Sequence, residues 1–125
     1  MTPETNLYRQ VNPEFVKDGR ILSLAFKPMP KKDNGLLSVY DGDRCSAQTS
    51  YEHFTVQLGC QSLGALAVTV QECEEEALRV LPDYAEHEYH ALIDFSGKTP
   101  GEVKRAAKRL TDLAMGRGWA YRPQG

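Results

Sequence analysis

The sequence has little of what usually announces a compartment or a chemistry. It holds three cysteines in 125 residues, at positions 45, 60 and 73, with no CxxC pair and no Cys/His pair at zinc-knuckle spacing. An odd count spoils a closed disulfide framework, and the spacing gives a structural zinc site no support. Three small apolar fillers in a reducing cytoplasm is the plainer reading. No apolar run approaches the roughly 20 residues of a membrane span. Met1-Thr2-Pro3-Glu4-Thr5-Asn6 has neither the basic start nor the apolar stretch of a signal peptide. Walker loops, GxGxxG, GxSxG and HExxH are all missing. That removes the common nucleotide, hydrolase and protease signatures, but not enzymes without a local motif. A dominant charge sign is missing too: the net charge is −2, so the chain does not coat nucleic acid through bulk charge.

What is present is enough apolar residue, 41% of the chain, for one cored domain spanning residues 1–125, with 1–6 read as a flexible leader. Leu7 to Val11 alternates as a short strand and Asn12-Pro13 stops it. Arg20 to Phe26 is the next extended candidate, closed by Lys27-Pro28-Met29-Pro30. Lys31 to Gly35 is turn chemistry, with Asn34-Gly35 supplying left-handed positions, and Leu36 to Tyr40 is a third strand. Ser46 caps a first helix whose Ala47, Tyr51, Phe54 and Leu58 share a face, ended by Gly59. His53 lies off that face and reads as solvated. Leu63 to Val68 is a buried strand. Thr69 and Glu72 form a capping box for a short acidic helix, after which Leu81-Pro82-Asp83 breaks the chain.

His90 to Phe95 is the clearest strand, with Ala91, Ile93 and Phe95 on one face and His90, Leu92 and Asp94 on the other. Thr99-Pro100-Gly101-Glu102 opens a last helix with the apolar stripe Val103, Ala106, Ala107, Leu110, Leu113 and Ala114. Gly116-Arg117-Gly118 ends it, and Trp119 to Tyr121 reads as a closing edge strand. The expected fold is α+β, a single domain with a mixed or antiparallel sheet of about five to six strands and three helices packed on it.

The small net charge is a cancellation. Residues 71–97 carry eight acidic side chains and one basic, whereas 98–125 carry seven basic and two acidic. Lys104, Arg105, Lys108 and Arg109 sit opposite the apolar stripe of the last helix, and Arg117 extends them. They are the binding candidates for phosphates or an acidic partner, beside the plainer reading of a solvated helix face. His87 and His90 have HxxH spacing, but a strand at His90 turns residues three apart to opposite sides, so no metal or cofactor is expected. His90 and Asp94 share a face about 13 Å apart, too far to bond each other, so any partner of His90 must come from another strand or loop. Asp94 reads either as a perturbed carboxylate or as the cap of a turn at Ser96-Gly97.

Leu7-Tyr8-Arg9-Gln10, Leu37-Ser38-Val39-Tyr40-Asp41-Gly42-Asp43, Tyr51-Glu52-His53 and His90 through Ser96 together resemble a family of small bacterial proteins with no known activity. That resemblance implies a bacterial one-domain protein and is compatible with a partner encoded in the same operon. Arg9, Thr49-Ser50 and Glu72-x-Glu74 also follow the order of the arginine, serine and glutamate pattern of ADP-ribosyltransferases. This second resemblance implies a cleft holding Arg9 and Glu74, although Thr49-Ser50 reads as helix and Glu72 as a helix cap. Arg9, Glu74, His90 and Asp94 are the candidate catalytic residues. The leading expectation is non-catalytic: a small cytoplasmic accessory protein that binds a partner protein, as an immunity or operon-companion component does. An enzyme without a local motif, and nucleic-acid binding through the last helix, are the alternatives.

Overall fold

The computed structural model describes residues 1–29 and 34–124. Its main sheet has five strands: β1 (Asn6–Gln10), β4 (Leu36–Asp41), β5 (Ala65–Thr69), β6 (Arg79–Pro82) and β7 (His90–Asp94). They lie in the order β5-β1-β4-β7-β6, with every neighbouring pair antiparallel. A two-stranded ribbon of β2 (Val16–Lys17) and β3 (Arg20–Ile21) stands apart. The helices are α1 (Ala47–Glu52), α2 (Val70–Glu75) and α3 (Pro100–Arg117). The α+β expectation holds.

Cross-strand partners share a face of a sheet, so the register sorts the side chains. Leu7, Leu37, Val39, Leu66, Val68, Ala91 and Ile93 fall on one face, and all are buried. Against them lie Ala106, Ala107, Leu110 and Ala114 of α3, together with Ala25 and Phe26. Each large side chain removed from water there contributes about 1.5–3 kcal/mol. The other face carries Tyr8, Gln10, Ser38, Tyr40, Ala65, Ala67 and His90. Helix α1 covers its β1–β5 end, where Gln10 Nε2 donates to the buried Ser50 Oγ at 2.9 Å.

Several local expectations change. Arg20 to Phe26 is not one strand: β3 ends at Ile21 and Ser23–Phe26 is a 3₁₀ turn. Ala25 and Phe26 are both fully buried. Successive residues of a strand point oppositely, so only a tight turn can send both into one core. Asp18 (φ 52) and Gly19 (φ 76) make the turn of the β2–β3 hairpin, an Asp-Gly signal that the strand reading passed over. Asn34 and Gly35 do adopt positive φ; residues 31–33 of that turn, and Pro30 before it, lie outside the described residues. The closing strand reduces to one bridge, Ala65↔Tyr121. Gly64 makes that approach possible, because a Cβ there would fall 2.6 Å from the Tyr121 carbonyl oxygen. Residues 1–6, read as a leader, are tied to the body: Thr5 is buried, its carbonyl accepts from Val70 N–H at 3.1 Å, and Pro3 accepts from Gln71 at 2.9 Å.

The acidic and basic segments meet inside the fold. Arg117 binds both Glu72 carboxylate oxygens, at 3.2 and 2.9 Å, and the Ala67 carbonyl at 2.8 Å. Burial opposes ionisation of Glu72, but the hydrogen bonds from Arg117 and from the Thr69 backbone outweigh it and hold the carboxyl below its ordinary 4.5. A carboxyl lowered on folding stabilises the fold above its ordinary value, and that contribution is lost as pH falls through the folded value. Glu72→Gln should therefore cost about 1–3 kcal/mol at pH 7. The gap between wild type and variant in urea melts should close below pH 4.5; a gap independent of pH would contradict this account.

Candidate active site

On the half-open face of the sheet, β4, β7 and the residue after β6 place three side chains in a row. Tyr40 and Ser38 of β4 flank the position of His90 on β7, since Tyr40 pairs directly with His90 and Ser38 lies two residues along. The β6–β7 hairpin pairs Pro82 with Ala91, and Asp83 N–H donates to the His90 carbonyl at 2.9 Å, which sets Asp83 beside His90. Asp83 Oδ2 lies 2.9 Å from His90 Nδ1, and His90 Nε2 lies 3.1 Å from Ser38 Oγ. A carboxylate only accepts, so neutral His90 carries its proton on Nδ1. Nε2 then offers its lone pair to the Ser38 hydroxyl, which donates to it. The imidazole is nearly buried, with its side chain 11% exposed, while Ser38 is exposed.

The row opens into a cleft of about 180 Å³ lined by Arg9, Gln10, Ser38, Tyr40, His87 and His90, with Phe54 and Leu58 as an apolar wall. Arg9 belongs to it through a gap in the sheet. β1 and β4 pair only at Leu7↔Asp41 and Tyr8↔Tyr40. Just past that point Arg9 Nη1 donates to the Ser38 carbonyl at 2.9 Å, and Nε donates to the Ala25 carbonyl at 2.6 Å. The guanidinium therefore fixes the peptide that carries Ser38.

His87 hangs from the 83–89 loop, which is pinned at its base. Tyr84 Oη donates to the buried Asp41 carboxylate at 2.6 Å, and the Arg44 guanidinium stacks 3.7 Å over the Tyr84 ring. The pinning folds His87 back over the sheet, with its ring centroid 5.0 Å from that of His90 and 4.4 Å from that of His53. Tyr89 N–H donates to His87 Nδ1 at 3.1 Å. A backbone N–H cannot accept, so neutral His87, which lines the cleft, carries its proton on Nε2. Burial first, then His53 and His90, hold its imidazole below the usual 6.5.

His53 is not the solvated residue the helical spacing implied. Helix α1 runs into a π-helical turn, His53–Gln57, closed by Leu58 N–H on the His53 carbonyl at 3.0 Å. The wider turn breaks the 3.6-residue period. It leaves Leu58 half-exposed and His53 half-buried, with Nδ1 2.8 Å from Tyr40 Oη. The rings of His53 and His87 thus meet that of Tyr40, the cross-strand partner of His90, whose phenol burial pushes up and keeps protonated.

The chain matches no family model, no curated protein and no solved structure.

Of the candidate catalytic residues, Arg9 and His90 share the cleft and the other two lie elsewhere. Asp94 caps the turn after β7, accepting from Ser96 N–H at 2.8 Å, and Ser96 holds its carboxyl below the ordinary value. Glu74 is exposed on α2, and neither it nor Thr49 lines the cleft with Arg9. Lys104, Arg105, Lys108 and Arg109 are exposed on α3, with Lys108 paired to Asp112 at 3.1 Å. Arg117 is exposed as well, and it is committed to Glu72. Among the described residues no three His, Cys, Asp or Glu side chains form a group that could hold a metal ion. Both His90 nitrogens and one His87 nitrogen already have partners. Burial pushes the Cys45 and Cys73 thiols up to about 12, which suits apolar fillers and not nucleophiles.

Proposed function

We infer that the protein is an enzyme that transfers an acyl group to water, with Ser38 as nucleophile, His90 as general base and Asp83 holding the His90 tautomer. One observation carries this reading: a nearly buried imidazole bonded through one nitrogen to a carboxylate and through the other to an exposed serine hydroxyl. That constellation is recognised by geometry and roles, whatever the sequence order. Arg9 steadies the nucleophile's peptide, and His87 supplies a neutral N–H donor in the same cleft for charge developing on a carbonyl oxygen. The test is a fluorophosphonate. One equivalent should attach to Ser38, located by peptide mass spectrometry. Ser38→Ala should abolish the adduct, and His90→Ala should slow it by about 10³-fold or more. Labelling no faster than that of ordinary exposed serines would overturn the assignment.

Partner binding remains the second reading, favoured by Val56 on the π-helical turn and Leu58 at its end, which are 78% and 52% exposed. On that reading the protein is an accessory or immunity-type component whose partner covers the turn. An unreactive Ser38, together with a partner complex that shields Val56, would favour it over catalysis.

A further inference from the structure

Arg9 borders two concavities. One is the cleft of Ser38 and His90; the other is a trough of about 280 Å³ whose apolar lining is Phe15, Leu24, Pro28 and Met29. The cleft alone has the volume of roughly six water molecules, enough for an ester group and a few atoms of its substituents. The trough has the opposite character. Leu24 is 47% exposed and Met29 58%, although Ala25 and Phe26 from the same segment enter the core completely. The 3₁₀ turn Ser23–Phe26 therefore divides its apolar residues, some inward and Leu24 outward along this trough.

The guanidinium of Arg9 is turned onto the Ser38 and Ala25 carbonyls, with its carbon 5.7 Å from the Phe15 ring centroid. The half-buried Arg9 lines both concavities, and the methylene stem of such a side chain is apolar surface that a hydrocarbon can pack on.

Resting on the acyl-transfer reading, we propose that the substrate is an ester of a medium-chain apolar acyl group. Its carbonyl sits at Ser38, and its hydrocarbon tail crosses the Arg9 stem into the Phe15–Leu24–Pro28 trough. Ser38 Oγ bonds to the carbonyl carbon as its proton passes to His90 Nε2. The carbon–oxygen bond to the alcohol then breaks, and the leaving oxygen takes that proton from His90. Water repeats the sequence on the acyl-Ser38 ester, giving the fatty acid and the free hydroxyl. Glu14 and Lys27, of opposite charge, also line the trough.

The experiment compares p-nitrophenyl acetate, butyrate and octanoate, each below its micelle concentration, and measures fluorophosphonate labelling of Ser38 alongside. Burial of a methylene is worth about fourfold, so partial burial of the tail should raise kcat/KM at least tenfold from acetate to octanoate. Leu24→Asp alters an exposed side chain and should remove most of that gain, with the loss appearing chiefly in KM for octanoate. Ser38 labelling with a flat chain-length profile, or an acetate-to-octanoate ratio untouched by Leu24→Asp, overturns the tail assignment and leaves the acyl-transfer reading standing. Neither labelling nor turnover with any ester overturns both.

Discussion

Asp83→Asn is expected to lower kcat/KM for ester hydrolysis by about 10³–10⁴-fold without unfolding the protein; the same exchange in a serine-protease triad costs about 10⁴. The reason is a tautomer. Asp83 accepts from His90 Nδ1 at 2.9 Å, which leaves Nε2 unprotonated toward Ser38, 3.1 Å away. An asparagine can turn its amide N–H₂ toward Nδ1 instead, which drives the imidazole proton to Nε2. Two donors would then face each other across the Nε2–Oγ contact, and the base could no longer take the serine proton. The cost to stability should be small, because the Asp83 side chain is 36% exposed and water can replace the lost bond. Urea midpoints should lie near that of wild type while fluorophosphonate labelling of Ser38 nearly ceases. If labelling stayed within tenfold of wild type, the carboxylate would be only a hairpin-closing ion pair and the catalytic assignment would fail.

The parts of this site differ in how legible they were, and the differences have physical causes. The β7 face holding His90 followed from strict alternation, as did the conclusion that its partner must come from another element. That partner was missed because Leu81-Pro82-Asp83 reads as a break. Pro82 nonetheless ends an edge strand, where its missing N–H costs nothing, and Asp83 continues the hairpin beside His90. Ser38 was placed on a strand, but its neighbour depended on pairing β4 with β7, a contact between segments some fifty residues apart that no local pattern encodes. His53 was lost to a different rule: helical spacing assumes 3.6 residues per turn, and the π-helical turn departs from it within the segment that meets Tyr40. The capping boxes at Thr69 and Thr99 are legible because each is a short-range hydrogen-bond pattern, and the turn that Asp94 caps is the second of the two roles its position offers. Short-range chemistry was visible; the site itself is a product of register.

His87 should separate the cleft's chemistry from its architecture. The Tyr89 N–H on Nδ1 leaves Nε2–H as the cleft's neutral donor, so His87→Ala should lower kcat by about 10²–10³-fold with KM changed only a few-fold, as loss of one oxyanion donor does. His87→Gln restores an N–H donor and should recover part of that loss; equal activity in the two variants would leave His87 a purely structural residue. The same residue sets an acid limit. Protonated Nδ1 would confront the Tyr89 N–H, and the rings of His53 and His90 stand close by. An imidazole held below 6.5 in the fold makes the unfolded chain the better proton acceptor, so stability falls as pH drops from 6.5 through the lower folded value and then levels. Thermal melts between pH 7.5 and 5 should show that decline in wild type, and His87→Gln should flatten it. Because glutamine does not titrate, a decline of unchanged size in this variant would move the acid sensitivity to other groups in the 83–89 loop. Recovered turnover with a flattened profile would instead fix both properties on one imidazole: the backbone bond that leaves Nε2 as its donor also disfavours its second proton.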